Sequence, residues 1–123
     1  MRIITKEFLR LNPLRYFVFG DNLLHQGYGG AAALRDCKNA YGFVTKKYPT
    51  RQNEAHYKPE EYKFVYEQEI IKLKSFIMTH PGCFFIVSRL GSGLANRYGI
   101  FEKVIQPNIK KDLTSFNNVE FLW

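Results

Sequence analysis

Two short segments constrain this chain more than any other feature. Arg15-Tyr16-Phe17-Val18-Phe19 and Cys83-Phe84-Phe85-Ile86-Val87 are both rich in aromatic and β-branched residues, and each leads directly into a glycine-bearing loop. Apolar runs of this length without polar alternation are expected of strands covered on both faces, the usual situation in a parallel sheet. Gly20-Asp21-Asn22 punctuates the first run as a turn triplet. Tyr41 to Thr45 reads as a further short strand and Val119 to Trp123 as a terminal one.

Between the strands lie helical patterns. Ala31-Ala32-Ala33-Leu34-Arg35 has high helical propensity and follows Gly29-Gly30. The clearest helix opens at Pro59-Glu60-Glu61, where proline suits the first helical position and two carboxylates face the positive end of the helix dipole. Tyr62, Val65, Tyr66, Glu69, Ile70, Leu73, Phe76 and Ile77 then recur at helical spacing until His80-Pro81-Gly82 stops the run. Thr50 to Tyr57 is patternless and predicts a loop, and Ile100 to Ile105 predicts a helix interrupted by Pro107. Strands alternating with helices predict one α/β domain over residues 1–123, with a mostly parallel sheet and helices on its faces.

Composition narrows the functional classes. With 46% hydrophobic and 16% aromatic residues among 123, the chain is neither a disordered tail nor a coiled coil. The longest apolar stretch is too short to span a bilayer, and the first residues lack a secretory signal pattern, so a soluble cytoplasmic protein is expected. His25, His56, His80, Cys37 and Cys83 have no metal-ligand spacing, and no metal or cofactor is expected. Cys83 reads as a small buried hydrophobe, although a Cys37–Cys83 disulfide stays open on sequence alone. A formal net charge of +7, from 18 basic and 11 acidic side chains, favours an anionic partner. The lysines are dispersed, which argues mildly against nucleic acid.

The loops carry the chemistry. In open α/β sheets ligands bind outside the carboxyl ends of the strands, so loops that follow two buried strands share one edge. Gly27-Tyr28-Gly29-Gly30-Ala31 lets backbone approach a bulky anion, and free N–H groups at the start of the following helix suit a phosphate. The same small residues also suit tight helix–sheet packing. Arg89-Leu90-Gly91-Ser92-Gly93-Leu94 offers a second set of backbone amides and a hydroxyl. Two such loops would grip the two phosphates of one pyrophosphate. No Gly-Lys-Ser/Thr is present, and Lys46-Lys47 stand where a dinucleotide fingerprint needs an acid. Tyr28, Tyr98 and Phe101 are candidates to stack on a base, or to be core. His25 is a general-base candidate or an ordinary loop histidine.

These elements resemble the macrodomains, which bind ADP-ribose. Phe19-Gly20-Asp21-Asn22-Leu23-Leu24 followed by Gly27 to Ala33 is similar to their first loop. Thr45-Lys46-Lys47, Lys58-Pro59 and Arg89 to Leu94 are similar to the macrodomain class that removes terminal ADP-ribose from proteins. The likeness runs from about Tyr16 to Trp123. It implies a three-layer fold in which Asn22 meets the distal ribose and Gly27, Gly29, Gly30 and Ala31 flank the pyrophosphate. Gly91, Ser92, Gly93 and Leu94 would close the other side. Lys46 matches the lysine that attacks the anomeric carbon in that class, with Lys47 as a neighbouring cation. The acid that follows Gly-x-Gly-Leu in the class is Ala95 here. Without it, recognition or sequestration ranks above hydrolysis, with Asp21 or Asn96 as substitutes out of register. The implied partners are an ADP-ribose-like small molecule or an ADP-ribosylated protein. A lone domain of this size would suit a phage or mobile-element product.

Overall fold

A computed structural model describes residues 2–123. Its chain order is α1 (Lys6–Leu11), β1 (Arg15–Asn22), β2 (Ala40–Lys46), α2 (Pro59–Met78), β3 (Phe84–Val87), α3 (Ile109–Asp112) and β4 (Val119–Phe121). Short 3-10 turns cover Gly30–Leu34 and Asn53–Ala55, and a π-helical turn covers Phe101–Ile105. The protein is an α/β fold. All four strands are parallel, in the order β2-β1-β3-β4.

That order sets where a ligand can sit. The chain leaves β1 for β2 on one side, then crosses over α2 to β3 on the other side of β1. The connections therefore diverge between β1 and β3. At such a switch point the loops separate and open a crevice at the carboxyl ends of the strands.

Apolar side chains on both sheet faces explain the continuous runs. Phe17, Phe19 and Ile86 pack with Ile4, Leu9 and Leu34 on one face. Val18, Phe43, Phe85 and Val87 pack on the other against Tyr62, Tyr66 and Leu73 of α2 and against residues 100–113. Cys37 and Cys83 are free and belong to different faces, each partly buried. No helix among the described residues is long and apolar enough to cross a membrane.

Glu69 lies among the buried positions of α2 for a specific reason. β2 is an edge strand, and the outward-facing polar groups of Val44 need partners. The Glu69 carboxylate accepts the Val44 N–H at 2.7 Å, and the Tyr62 hydroxyl donates to the Val44 carbonyl at 2.6 Å. One helix thereby covers both the apolar face and the open edge of β2.

Four elements differ from expectation. Gly20-Asp21-Asn22 is not a turn but the end of β1, paired with Phe43, Val44 and Lys46, because Gly20 without a side chain lets β1 run on close against Thr45 of β2. The alanine run forms a five-residue 3-10 turn, so the anticipated helix and its dipole are absent there. The Ala32 and Arg35 N–H groups donate three residues back, to the Gly29 and Ala32 carbonyls, and Gly30 enters the turn in left-handed backbone that an α-helix cannot use. Residues 101–105 widen to a π turn, with the Gln106 N–H donating to the Phe101 carbonyl at 2.7 Å. Pro107 follows at once, lacking the N–H that an α-helix would use and crowding the preceding turn. Helix α1 has no counterpart in the periodicity: its six residues bury only Leu9, and Thr5 Oγ1 caps it by accepting the Phe8 N–H at 3.0 Å.

Candidate ligand-binding cleft

The site grows from the last residues of β1. Gly20 brings β1 close to β2 and to the third strand's loop; a Cβ there would stand 3.0 Å from Thr45 Oγ1 and 3.8 Å from the Gly91 nitrogen. Asp21 is buried, and its carboxylate organises the whole first loop. Oδ1 accepts the Asn22 N–H at 2.8 Å and Arg35 Nη1 at 2.6 Å, while His25 Nδ1 lies 2.8 Å from Oδ2. Gly42 makes room for it, since a Cβ at that position would collide with Asp21 Oδ2.

Arg35 clasps the loop from the far end. Its Nε donates to the Gly27 carbonyl at 2.9 Å and Nη2 to the Gln26 carbonyl at 3.0 Å, and its guanidinium lies 5.3 Å from the centre of the Phe19 ring. In a trans peptide the N–H opposes the preceding C=O, so the amides of Gly27 and Tyr28 point away from Arg35. Asn22 closes an internal turn, accepting the Leu24 N–H at 3.0 Å and donating to the Gln26 carbonyl at 2.8 Å. Gly27 (φ 92°) and Gly30 (φ 57°) adopt left-handed backbone that glycine reaches without strain.

The second loop leaves β3 through Ser88, whose hydroxyl donates to the Val18 carbonyl at 2.8 Å. Gly91 has φ 74°, and a Cβ would meet Ile105 Cδ1 at 2.7 Å. Ser92 donates its hydroxyl within the loop, to the Arg89 carbonyl at 2.6 Å. Among the described residues the amides of Gly91, Gly93 and Leu94 find no acceptor in the chain. Leu94 reaches across to the first loop, its Cδ1 lying 3.2 Å from where a Gly29 Cβ would stand. His56 ties this loop to the segment after β2, with Nε2 3.1 Å from the Leu94 carbonyl and Nδ1 2.8 Å from the Gln52 carbonyl.

The two loops enclose one cavity of about 310 Å³. Its walls are Gly20 to Asn22, Gln26, Gly27 and Gly29 to Ala32 of the first loop, Ser88 to Ala95 of the second, and Thr45, Lys46 and Pro49 between them. Arg35, Lys46 and Arg89 supply cations. Asp21 is the one carboxylate in the lining, and it is already paired with Arg35. The volume is at the small end of ligand pockets.

Residues 1–96 match a family of unknown function (DUF7831). The chain belongs to this family. The DUF7831 match contains every residue that lines the cavity. No curated protein and no solved structure matches the chain.

Eleven of the residues singled out from sequence meet at this cavity: Asp21, Asn22, Gly27, Gly29, Gly30, Ala31, Lys46, Gly91, Ser92, Gly93 and Leu94. Three do not line it. Tyr28 is exposed and donates its hydroxyl to Asp36 at 2.9 Å, a contact that raises its pKa. Asn96 caps the π turn, accepting the Phe101 N–H at 3.0 Å and donating to Glu102 at 2.9 Å. Tyr98 stands beyond the second loop, with Lys58 Nζ 6.0 Å from its ring centre. Phe101 is core.

Lys46 donates to the Thr50 carbonyl at 2.7 Å. Its pKa is lowered, first by burial and then by the positive charges of Arg97 and Arg51. Lys47, expected to be the influential neighbour, instead pairs with Glu61 at 3.0 Å. Arg35 went unrecognised in sequence, because its partners Asp21, Gln26 and Gly27 lie 14, 9 and 8 positions away and share no motif with it.

Proposed function

We propose that the protein binds ADP-ribose, or a nucleotide derived from it, in the cleft between the two loops, and recognises or sequesters it. One observation carries the reading: two loops from separate strands meet over a single cavity that combines free amides with Lys46 and Arg89. Backbone N–H groups and flanking cations are the chemistry that holds a diphosphate. The sheet with apolar cores on both faces supports a three-layer, macrodomain-like arrangement.

Calorimetric titration with ADP-ribose, NAD, ADP and a short single-stranded DNA tests this. Micromolar binding of ADP-ribose is expected, abolished by Gly30→Glu and retained by Gly30→Asn, since asparagine tolerates left-handed backbone. The space where a Gly30 Cβ would stand is open, so the glutamate acts by its charge and bulk at the rim. Silence with every nucleotide, alongside tight and steeply salt-dependent binding of the oligonucleotide, would replace this reading with a nucleic-acid module.

Lys46 favours a second reading, hydrolysis of a terminal ADP-ribosyl group. A lowered pKa increases the fraction of neutral amine able to attack an anomeric carbon. ADP-ribose released from a modified protein, at a rate rising with pH and lost in Lys46→Ala, would establish it. Binding of ADP-ribose without such release assigns the protein to recognition.

A further inference from the structure

The solvent side of α2 carries large apolar residues that nothing in the chain covers. Phe64, Ile71 and Met78 are 68%, 61% and 68% exposed. They stand seven residues apart on a 20-residue helix, and two helical turns bring each nearly above the last, so they form one stripe. The opposite side of α2 is already used, burying Tyr62, Tyr66, Ile70, Leu73 and Ile77 against the sheet. Isolated surface apolars are common, but an aligned series on a well-formed helix is a docking feature.

Charge along the stripe identifies its occupant. Glu67 and Lys74 flank Ile71 on the same side of the stripe, and Gln68 and Ser75 flank it on the other. Among the described residues neither Glu67 nor Lys74 forms an ion pair within the chain. If two copies of α2 meet antiparallel about a two-fold axis at Ile71, Phe64 packs against Met78 of the second copy. Glu67 then stands beside Lys74 of that copy, and the symmetry repeats the pair. Gln68 meets Ser75 in the same way. A parallel pairing exchanges the two sides of the stripe, setting Glu67 beside Gln68 and Lys74 beside Ser75 of the second copy and leaving both charges without an opposite partner.

We propose that the protein self-associates through this face as an antiparallel α2–α2 dimer. A contact confined to one helix per copy buries less than the roughly 1,200 Å² of a standard interface, so the dimer is weak and concentration-dependent. This inference is independent of the ligand-binding reading.

Sedimentation velocity on the full chain, from about 1 µM to about 300 µM, spans the dissociation constants expected of such a contact. The 14.5 kDa monomer should give way to a species of twice that mass as concentration rises. Ile71→Glu should stay monomeric throughout, with an unchanged far-UV circular dichroism spectrum because the side chain is exposed. Glu67→Lys and Lys74→Glu should each weaken the dimer about fivefold, as expected for losing two surface ion pairs. The double swap, or a mixture of the two single variants, should restore it. A monomer at every concentration overturns the proposal. So does a dimer indifferent to Ile71→Glu, or a double swap that associates no better than the single variants.

Discussion

The loop after β1 and the loop after β3 face the same cavity but are held by different forces. The first is exposed from Leu23 to Ala31 and makes its shape with charge: Asp21, Arg35 and His25 form a network, and Arg35 grips two carbonyls. The second is anchored by packing, with Leu90, Gly91 and Ala95 buried against the residues after it. The first loop leaves Leu23, Leu24 and Tyr28 exposed rather than packed, so directed polar bonds have to fix it. The second loop sits on the core with a glycine at its closest approach, and its polar ties, from Ser88, Ser92 and His56, are hydrogen bonds to carbonyls rather than ion pairs. The two rims should therefore fail separately, under different substitutions.

The largest effect is expected at the charged rim. Arg35→Ala leaves the Asp21 carboxylate buried with only His25 and one backbone amide, and frees two loop carbonyls. Breaking a buried ion pair from one side costs about 3 kcal/mol, measurable by urea denaturation. Hydrogen exchange should accelerate over residues 22–31 and stay unchanged over residues 88–95. A loss below about 1 kcal/mol would mean that the network is ornamental rather than structural.

The packed rim should lose somewhat less. Gly91→Ala places a Cβ 2.7 Å from Ile105 Cδ1 on backbone with φ 74°. Strain and overpacking together should cost about 2 kcal/mol, with exchange accelerating in the second loop alone. The two substitutions share no contact partner, so the double variant should be destabilised by their sum within about 0.5 kcal/mol. A strong deviation would show that the rims are one cooperative unit.

Sequence disclosed the frame of this molecule better than its braces. β1, β3 and α2 were legible because long apolar runs are local signals, and for α2 because Pro59 and His80-Pro81-Gly82 mark its ends. Gly20-Asp21-Asn22 misled, since turn-prone residues also fit a strand end that pairs closely with β2. The cavity glycines were legible as two glycine-rich loops that follow buried strands, although small residues there equally suit tight helix–sheet packing. Arg35 was not, because its role depends on where the chain returns after the alanine run. Tyr28 and Tyr98 illustrate the converse. An aromatic beside a glycine loop carries no information about which way it faces, and these two face away from the cavity lining. Asn96 sits at the right place in the chain but spends its side chain capping the turn that follows.

The smallest effect belongs to neither rim. Glu61 accepts the Lys58 N–H at 3.1 Å and Lys47 Nζ at 3.0 Å, and these contacts lower its pKa below the ordinary value of 4.5. A carboxylate with a lowered folded-state pKa contributes stability above its ordinary pKa and loses it as pH falls through the folded value. The pair is substantially exposed, so Glu61→Gln should cost less than about 1 kcal/mol at neutral pH. That difference should shrink as pH falls from the ordinary carboxylate value and vanish once it has passed the lowered folded-state pKa, as thermal melts at several pH values would show.

On the proposed function, both loops hold one ligand at once. A ¹⁵N–¹H correlation spectrum recorded through a titration with ADP-ribose tests it most directly. The amides of Gly27, Gly29 and Gly30 and those of Gly91, Gly93 and Leu94 should shift together, with a single midpoint. Shifts confined to one loop, or two loops saturating at different concentrations, would mean that the loops do not share a ligand.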